Sequence, residues 1–272
     1  MDRECFVSDS AVNDFIQWFS TKLDAGFMHS YTDRRTKKVW ECISVYDAYK
    51  KYQWGGENFC KNAEELDKLS SDLKAGIADE NADVCRDACL GILKWGGVLR
   101  GNEEKIKRIE EKKSLVQYLK DAEKKLTTGN IESRDYYEEV YMNSGFTKIY
   151  SLYIDNFIIY DSRVGAALGF LVGRYCEEKR LDKVPGLLRF AYGNSKGGTN
   201  RNPSTGNYTF PLLRNMGYYD NHIENNLKAN WLLGEVLRRP SKFNDLPEKR
   251  RLRALEAALF MIGYEVPGKS EK

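Results

Sequence analysis

Apolar residues recur at steps of three and four along most of this chain, and this spacing restricts it to helical folds. The repeat predicts three amphipathic helices, at residues 12–23, 66–77 and 115–126. Three further apolar segments also predict helices, at residues 84–93, 226–237 and 252–262. The last is the most apolar and is expected to dock into the core. The chain has no sustained alternating run and no Asn-Gly hairpin signal, so we expect an all-α protein without a large sheet.

The composition is that of a globular protein, with 272 residues, 42% hydrophobic and 31% charged. This length allows one large domain or two modest lobes. No apolar run approaches the roughly 20 residues that span a bilayer, and the first ten residues lack a signal-peptide core. We therefore expect a cytoplasmic protein with no membrane contact.

Cysteine and histidine usage argues against a metal centre. The six cysteines include no CxxC pair, and the only histidines are His29 and His222. A zinc or iron-sulfur site needs about four converging ligands. We expect reduced thiols, no metal and no cofactor, and neither a histidine-based metallohydrolase nor a Ser/His hydrolase. His222 alone could still serve in a site.

The best interior break is the polar segment 127–130. It would divide an N-terminal helical lobe, residues 1–130, from a C-terminal helical lobe, residues 131–272, although one compact unit is the alternative. Residues 103–125 are dense in Lys and Glu and predict a long exposed helix. Residues 192–211 are rich in glycine and lack periodicity, which predicts a long loop of the kind that is functional or mobile.

Asp161 is a lone carboxylate between two hydrophobic blocks. Residues 157–160 lead into it, and the apolar residues 164–172 follow with the pattern of a buried helix. A helix should therefore begin at Asp161. An aspartate at this position can cap the helix, worth roughly 1 kcal/mol, and the positive end of the helix favours its ionised form. Capping alone is one interpretation of this residue.

The segment around Asp161 also resembles the core of the helix-hairpin-helix DNA glycosylase superfamily. The matching residues are Gly145, Thr147 and Lys148 for a glycine-containing turn, and 160–164 for the catalytic aspartate and the start of the next helix. The chain departs from the family in having one glycine in the turn, and Lys148 lies only 13 residues before Asp161. The resemblance implies a two-lobed helical fold with a cleft between the lobes, double-stranded DNA as the partner, and Asp161 as the catalytic residue.

Base excision breaks the bond from C1′ to the base nitrogen through a transition state with positive charge on the sugar. A nearby carboxylate stabilises that charge and can deprotonate the attacking water, and Tyr160 would form the wall of the cleft. Lys148 could form a Schiff base with the opened sugar, as in the family's bifunctional members, or contact a phosphate, or be an ordinary surface lysine. Arg163 is expected to pair with an acid or with a DNA phosphate.

A flipped base needs aromatic planes and polar groups around it. Trp54 and Trp95 each precede two glycines, and Tyr46, Tyr49 and Tyr52 follow one helix face, with core packing as the alternative for all of them. Further candidates are the loop residues Arg201 and Asn202, and the helical residues His222, Asn226 and Trp231. The stripe formed by His222, Asn226 and Asn230 could line the cleft or face solvent.

The net charge of +3 does not by itself indicate nucleic acid. However, residues 183–219 contain no acid and include Arg201 and Arg214, and residues 238–253 form a second basic cluster. These features favour polyanion binding by the C-terminal half, with a solvated surface as the alternative for the second cluster.

The combined hypothesis is a monofunctional DNA glycosylase that excises a modified base and leaves an abasic site. The chain looks most like bacterial glycosylases suspected of phage defence, so glucosylated hydroxymethylcytosine is the first substrate to test. The main rival is a non-catalytic DNA-binding partner of a restriction or repair system. A magnesium nuclease would need carboxylates beside Asp161, where the sequence supplies only Asp155. The hypothesis predicts that Asp161→Asn keeps the cap and the stability while excision falls.

Overall fold

The computed structural model describes residues 1–195, 197–213 and 219–268, with the backbone alone for Tyr219 and Asp220. The chain is mostly helical, as predicted. In the first half lie α1 (Arg3–Ser8), α2 (Ser10–Lys22), β1 (His29–Thr32), β2 (Val39–Cys42), α3 (Val45–Lys50), α4 (Phe59–Ala78), α5 (Ala82–Trp95), α6 (Glu103–Lys112) and α7 (Leu115–Leu126). The second half contains α8 (Phe146–Tyr153), α9 (Ser162–Glu178), α10 (Tyr219–Leu237) and α11 (Glu248–Ile262). Single 3-10 turns occur at Arg134–Tyr137, Gly186–Leu188 and Lys242–Asp245.

The three helices predicted from periodicity and the three predicted from apolar segments are confirmed, and side-chain caps account for several of their starts. Asp9, Asn58 and Asn81 each accept a hydrogen bond from a backbone N–H in the first turn of α2, α4 and α5. Such caps satisfy donors that have no partner within the helix.

The prediction of one long exposed helix over residues 103–125 is wrong. The chain breaks after Lys112, because Lys113 adopts extended backbone, and its ammonium pairs with Asp121 and Glu139. The break resets the helical phase, so that both α6 and α7 turn an apolar face inward.

The described residues contain one small sheet, the antiparallel hairpin β1–β2, in which His29 pairs with Cys42 and Tyr31 with Trp40. The hairpin tip, residues 33–38, is held by Asp33, whose carboxylate accepts hydrogen bonds from Arg35 N and Thr36 N. The buried His29 binds two carbonyl oxygens at the end of α11, at 3.1 and 2.9 Å. The hairpin is thereby attached to the helical core.

Helix α9 lies at the centre of the core and packs against α2 and α11. Its first turn is in direct contact with backbone from two other segments. A Cβ at Gly165 would lie 2.3 Å from the carbonyl oxygen of Ala191, and a Cβ at Gly263 would lie 1.8 Å from that of Arg163. Only glycine permits these approaches, so the start of α9 is fixed on both sides.

The two halves of the sequence are interleaved in space. Helices α1 and α2 pack against α10, and α3 packs against α11, while Asn130 pairs with Asp2. The division at residue 130 remains a prediction. Within the described part of the chain, no helix has the length and apolarity needed to cross a bilayer.

Candidate active site

Asp161 caps α9, as the sequence predicts. Its Oδ1 accepts hydrogen bonds from Arg163 N at 2.9 Å and Val164 N at 3.1 Å. The other oxygen, Oδ2, lies 3.7 Å from Lys148 Nζ. One carboxylate oxygen therefore stabilises the helix, while the other forms a buried ion pair.

The extended segment 157–160 that leads into Asp161 is buried, and it pairs with no strand among the described residues. Side chains of α10 satisfy part of its backbone: Asn230 Oδ1 accepts from Ile158 N at 2.9 Å, and Asn226 Nδ2 donates to Ile158 O at 3.3 Å. The predicted polar stripe therefore faces inward. Asn226 is fully buried and supports the segment that carries Asp161 instead of lining a cleft.

Two further side chains complete this support. His222 Nε2 donates to Tyr160 O at 2.7 Å, and Glu256 Oε2 accepts from Ile159 N at 2.6 Å. Burial lowers the pKa of His222 to about 4, so the ring is neutral at pH 7. Glu256 is itself paired with Arg253 at 2.6 Å, and burial raises the pKa of this carboxyl despite the arginine. Sequence reasoning missed Glu256, although it is the only carboxylate within the apolar segment 252–262 and is therefore a usable signal.

Lys148 reaches Asp161 in spite of the short sequence spacing. It lies in the first turn of α8 and not in a preceding hairpin turn, and its ammonium donates to Ser144 O at 2.9 Å. After α8 ends, the extended segment spans the distance back to Asp161, because extended backbone covers about 3.3 Å per residue. The departure from the family spacing thus does not separate the two groups.

The Lys148–Asp161 pair is almost completely buried, with the two side chains 6% and 12% exposed. Burial alone would raise the pKa of Asp161, but the Lys148 charge and the backbone N–H groups of α9 outweigh it, so the pKa lies below its usual value. Burial lowers the pKa of Lys148, and Asp161 acts in the opposite direction. Asp161 is therefore ionised at neutral pH.

The ion pair lies where a small inner cavity meets a wide cleft. The inner cavity measures about 50 Å³, and its walls include Tyr52, Trp54, Trp95 and Phe260. Trp54 Nε1 donates to Trp95 O at 2.9 Å, and Trp95 Nε1 donates to the amide oxygen of Asn62 at 2.8 Å. Both tryptophans line the inner cavity and the open cleft, but their N–H groups are already bound to protein.

The open cleft measures about 2090 Å³. Among its described lining residues ten are basic and two, Asp33 and Asp161, are acidic. The basic ones are Arg34, Arg35, Lys38, Lys50, Lys51, Arg100, Lys105, Lys148, Arg163 and Arg201. Of these ten, only Lys51 and Lys148 form an ion pair with a described acid. The cleft therefore carries a large uncompensated positive charge.

Most of these cations come from the N-terminal half, whereas the sequence suggested the C-terminal half. The basic run at the hairpin tip, residues 34–38, was the missed signal. The C-terminal cluster is largely engaged elsewhere: Arg250 pairs with Asp67, Arg253 pairs with Glu256, and Arg251 donates to the carbonyl of Leu246. None of these three lines the open cleft.

Two of the predicted arginines lie in the cleft beside Asp161. The guanidinium of Arg163 stacks on the rings of Phe260 and Tyr264 and forms no ion pair with a described acid, contrary to one of the two expectations for it. Arg201 donates to Ser162 Oγ. His222 also lines the cleft.

Other predicted site residues lie away from both cavities. Tyr160 is fully buried and donates to Ala191 O at 2.6 Å, so it does not form the wall of the cleft. Trp231 packs against Phe6, with ring centroids 5.7 Å apart. The carboxamide oxygen of Asn202 accepts from Ser204 N within a turn. Arg214 lies outside the described residues.

The predicted aromatic stripe, Tyr46, Tyr49 and Tyr52, divides between the core and the site, and Tyr52 is the member that lines the inner cavity. Tyr46 and Tyr49 pack against Phe243, at 5.1 and 5.9 Å between ring centroids, which is the core-packing alternative.

Among the described residues no group of three His, Cys, Asp or Glu side chains is placed to hold a metal ion. The six cysteines are free, and only Cys5 and Cys60 are exposed.

Comparison of the chain with models of known families, with curated proteins and with solved structures finds no match.

Proposed function

We propose that the protein is a monofunctional DNA glycosylase that removes a modified base from double-stranded DNA. The observation that carries the proposal is the position of the ionised Asp161 at the floor of an electropositive cleft. In this proposal the cleft lies between the two predicted lobes, residues 1–130 and 131–272.

The unpaired cations of the cleft support DNA as the partner. A duplex carries one phosphate charge per roughly 1.7 Å of its axis, and basic side chains gain affinity by releasing the counterions condensed on it. Eight of the ten cleft cations have no described acid to compete with phosphate. Their spread over the hairpin, α3 and the segment after α5 suits an extended polyanion.

Asp161 supplies the chemistry. Positive charge develops on the sugar as the bond from C1′ to the base breaks, and a carboxylate in a buried site stabilises this charge strongly. Water adds to C1′, Asp161 accepts a proton from that water, and the bonding electron pair leaves with the base. Lys148 keeps Asp161 ionised throughout the approach of the substrate. The product is an abasic site in an intact strand.

The cavity volumes favour the open cleft over the inner cavity as the position of the base. A benzene ring occupies a cavity of roughly 150 Å³, three times the inner cavity at about 50 Å³. In this proposal the extruded base lies in the open cleft, which Trp54, Trp95 and Phe260 also line. The cleft has room for a base that carries a hexose, which keeps glucosylated hydroxymethylcytosine as the first substrate, in a cytoplasmic enzyme that attacks phage DNA.

The test is incubation with duplexes that contain cytosine, hydroxymethylcytosine or its glucosylated form, followed by alkali. Strand cleavage after alkali in the wild type, and its loss in Asp161→Asn, is the expected result. The second candidate is a non-catalytic DNA-binding partner of a restriction or repair system. It is favoured by the fact that capping and the Lys148 ion pair already account for both oxygens of Asp161. That protein would bind the duplexes and produce no alkali-labile site.

A further inference from the structure

Arg163 is held in the cleft without an acceptor for its hydrogen bonds. Its guanidinium carbon lies 4.0 Å from the centroid of the Phe260 ring and 4.8 Å from that of Tyr264. These cation–π contacts hold the side chain against the two rings, and an aromatic face offers no oxygen or nitrogen acceptor to its N–H donors. No hydrogen bond or ion pair joins this guanidinium to any residue that the structure describes.

Arg201 faces the same part of the cleft and is also incompletely satisfied. One terminal nitrogen donates to Ser162 Oγ, but Nε is buried and has no partner among the described residues. Buried donors without an acceptor are rare in folded proteins, and each requires an explanation such as an absent ion. The unpaired Nε of Arg201 therefore indicates a ligand that supplies a hydrogen-bond acceptor.

The positive charges of Arg163 and Arg201 also favour an anion at this place. Burial lowers the pKa of both arginines, and the charge of Arg201 adds to this effect on Arg163. The nearest acid is Asp161, which is already engaged by Lys148 and by the first turn of α9. Two half-buried positive groups thus share one incompletely neutralised region of the cleft wall.

We propose that Arg163, Arg201 and Ser162 form a subsite for a single phosphodiester group, the one that adjoins the nucleotide whose base is removed. This inference rests on the proposed function. The flat fork of a guanidinium matches two phosphate oxygens, and two such forks can hold one phosphate from different sides. Since Arg163 lies two residues after Asp161, a phosphate bound there places the attached sugar beside the carboxylate.

The subsite differs from the rest of the basic cleft in its rigidity. Arg163 is stacked, and the carbonyl of its own backbone abuts Gly263, whereas Arg35 and Lys38 at the hairpin tip are exposed. A preorganised group loses little side-chain entropy on binding. The hairpin cations attract DNA in general, while Arg163 and Arg201 fix one phosphate in register with Asp161.

The first experiment needs no DNA and measures the melting temperature in inorganic phosphate and in chloride at equal ionic strength. Phosphate should raise the melting temperature of the wild type more than chloride does. Arg163→Met and Arg201→Met should each lose this difference, and the exposed Arg239→Met should keep it. Arg163→Lys, which retains the charge, should lose most of it because an ammonium lacks the fork. An absent response in the wild type, or an intact response in both methionine variants, overturns the subsite.

The second experiment distinguishes a phosphodiester from free phosphate. Duplexes carry one uncharged methylphosphonate at successive positions around the target nucleotide, and excision is followed at saturating enzyme. At one position adjoining the target the wild-type rate should fall at least tenfold, and the same change should have little further effect on Arg163→Met. A methylphosphonate three nucleotides away should change neither enzyme.

Equal sensitivity of the wild type at all positions, or effects of variant and methylphosphonate that multiply, would overturn the phosphodiester assignment. A phosphate response that depends on both arginines, in a protein that excises no base, would instead retain an anion site and reject the glycosylase. The two failures are therefore distinguishable.

Discussion

At the scale of single residues, the divided role of Asp161 decides how its substitution behaves. One carboxylate oxygen caps α9, and the other forms the buried ion pair with Lys148. The sequence shows only the first, and on that basis Asp161→Asn is harmless to stability. The buried Lys148 changes this expectation, because an ammonium without its partner remains in the interior.

We predict that Asp161→Asn lowers excision by at least a factor of about 100, as expected for loss of a charge that stabilises a transition state. It should also lower the free energy of unfolding by about 3 kcal/mol, the cost of breaking a buried ion pair from one side. Urea unfolding and single-turnover excision measure the two effects.

The double variant Asp161→Asn with Lys148→Met is the control. It should recover most of the lost stability and none of the activity, because methionine needs no counter-charge. Full activity in Asp161→Asn would refute the catalytic assignment, and unchanged stability would refute the importance of the ion pair.

His222 gives a prediction for the dependence of stability on pH. Its folded-state pKa of about 4 lies below the ordinary value of 6.5, so between these values the unfolded state binds more protons. The contribution of His222 to the free energy of unfolding is therefore fully present above pH 6.5 and is lost as the pH falls towards 4. Between pH 7 and pH 5 the loss from this group is about 2 kcal/mol.

Replacing His222 with glutamine keeps a donor for Tyr160 O and removes the titration. Urea unfolding at pH 7 and pH 5 should therefore show a smaller pH dependence in His222→Gln than in the wild type. The other histidine, His29, is common to both proteins, so it cancels in the comparison. An identical pH dependence would mean that His222 is not held neutral by burial.

Sequence patterns reveal single residues only when their role is local. The cap at Asp161 follows from its neighbours in the chain, and it was predicted. The approach of Lys148 depends on a helix that ends at Tyr153 and on extended backbone after it, which the 13-residue spacing does not reveal. The support given by Asn226 comes from 68 residues away, so a polar helical stripe could not be distinguished from a solvent-facing one.

At the scale of elements, the start of α9 is the most constrained part of the structure. It is in backbone contact with the segment after α11 and with the loop before residue 192. Both contacts lie within four residues of Asp161. The position of the carboxylate is therefore set by the close approach of three backbone segments, in addition to its own hydrogen bonds.

We predict that Gly263→Ala is severely destabilising, by more than about 3 kcal/mol, since its Cβ would lie 1.8 Å from a backbone oxygen and the backbone cannot yield cheaply. Gly234 in α10 is the matched control. An added Cβ there meets nothing within 4 Å, so Gly234→Ala should stabilise the helix by about 0.5–1 kcal/mol. Thermal unfolding of the two variants tests the contrast, and equal effects would contradict the described contact.

The helices also show which elements can be predicted from the spacing of apolar residues. Six apolar repeats gave six helices, because each repeat reports one buried face. The error at residues 103–125 arose because two amphipathic helices in succession have the same composition as one. Helix α6 ends before Lys113, whose ammonium pairs with Asp121 in α7 and with Glu139, and neither partner is a neighbour of Lys113 in the sequence.

At the scale of the whole molecule, the cleft is a property of tertiary structure. Its cations are drawn from the hairpin tip, from α3, from the segments around residues 100 and 105, and from the loop at residue 201. A net charge of +3 conceals them, because acids elsewhere on the surface balance the total. The sequence could indicate a polyanion partner, but only the fold shows which charges remain unpaired.

We predict that DNA affinity depends on these cleft cations and not on the C-terminal cluster. Arg35→Ala with Lys38→Ala should lower the slope of log affinity against log salt by up to about 0.9 for each lost phosphate contact. Arg238→Ala with Arg239→Ala should leave it unchanged. Titrations at four salt concentrations provide the slopes, and the reverse ranking would place the DNA on the C-terminal cluster and not in the cleft.

The packing of α2 has a consequence for synthesis of the chain. Trp18 donates to Glu178 at 2.6 Å, and Asp14 accepts from Tyr175 at 2.9 Å, so an early helix is completed by one that is translated about 150 residues later. Until α9 has left the ribosome, the aromatic face of α2 has no native surface to cover it. The nascent chain therefore carries Phe15 without Tyr175, its edge-to-face partner at 5.3 Å between ring centroids, through more than half of its translation.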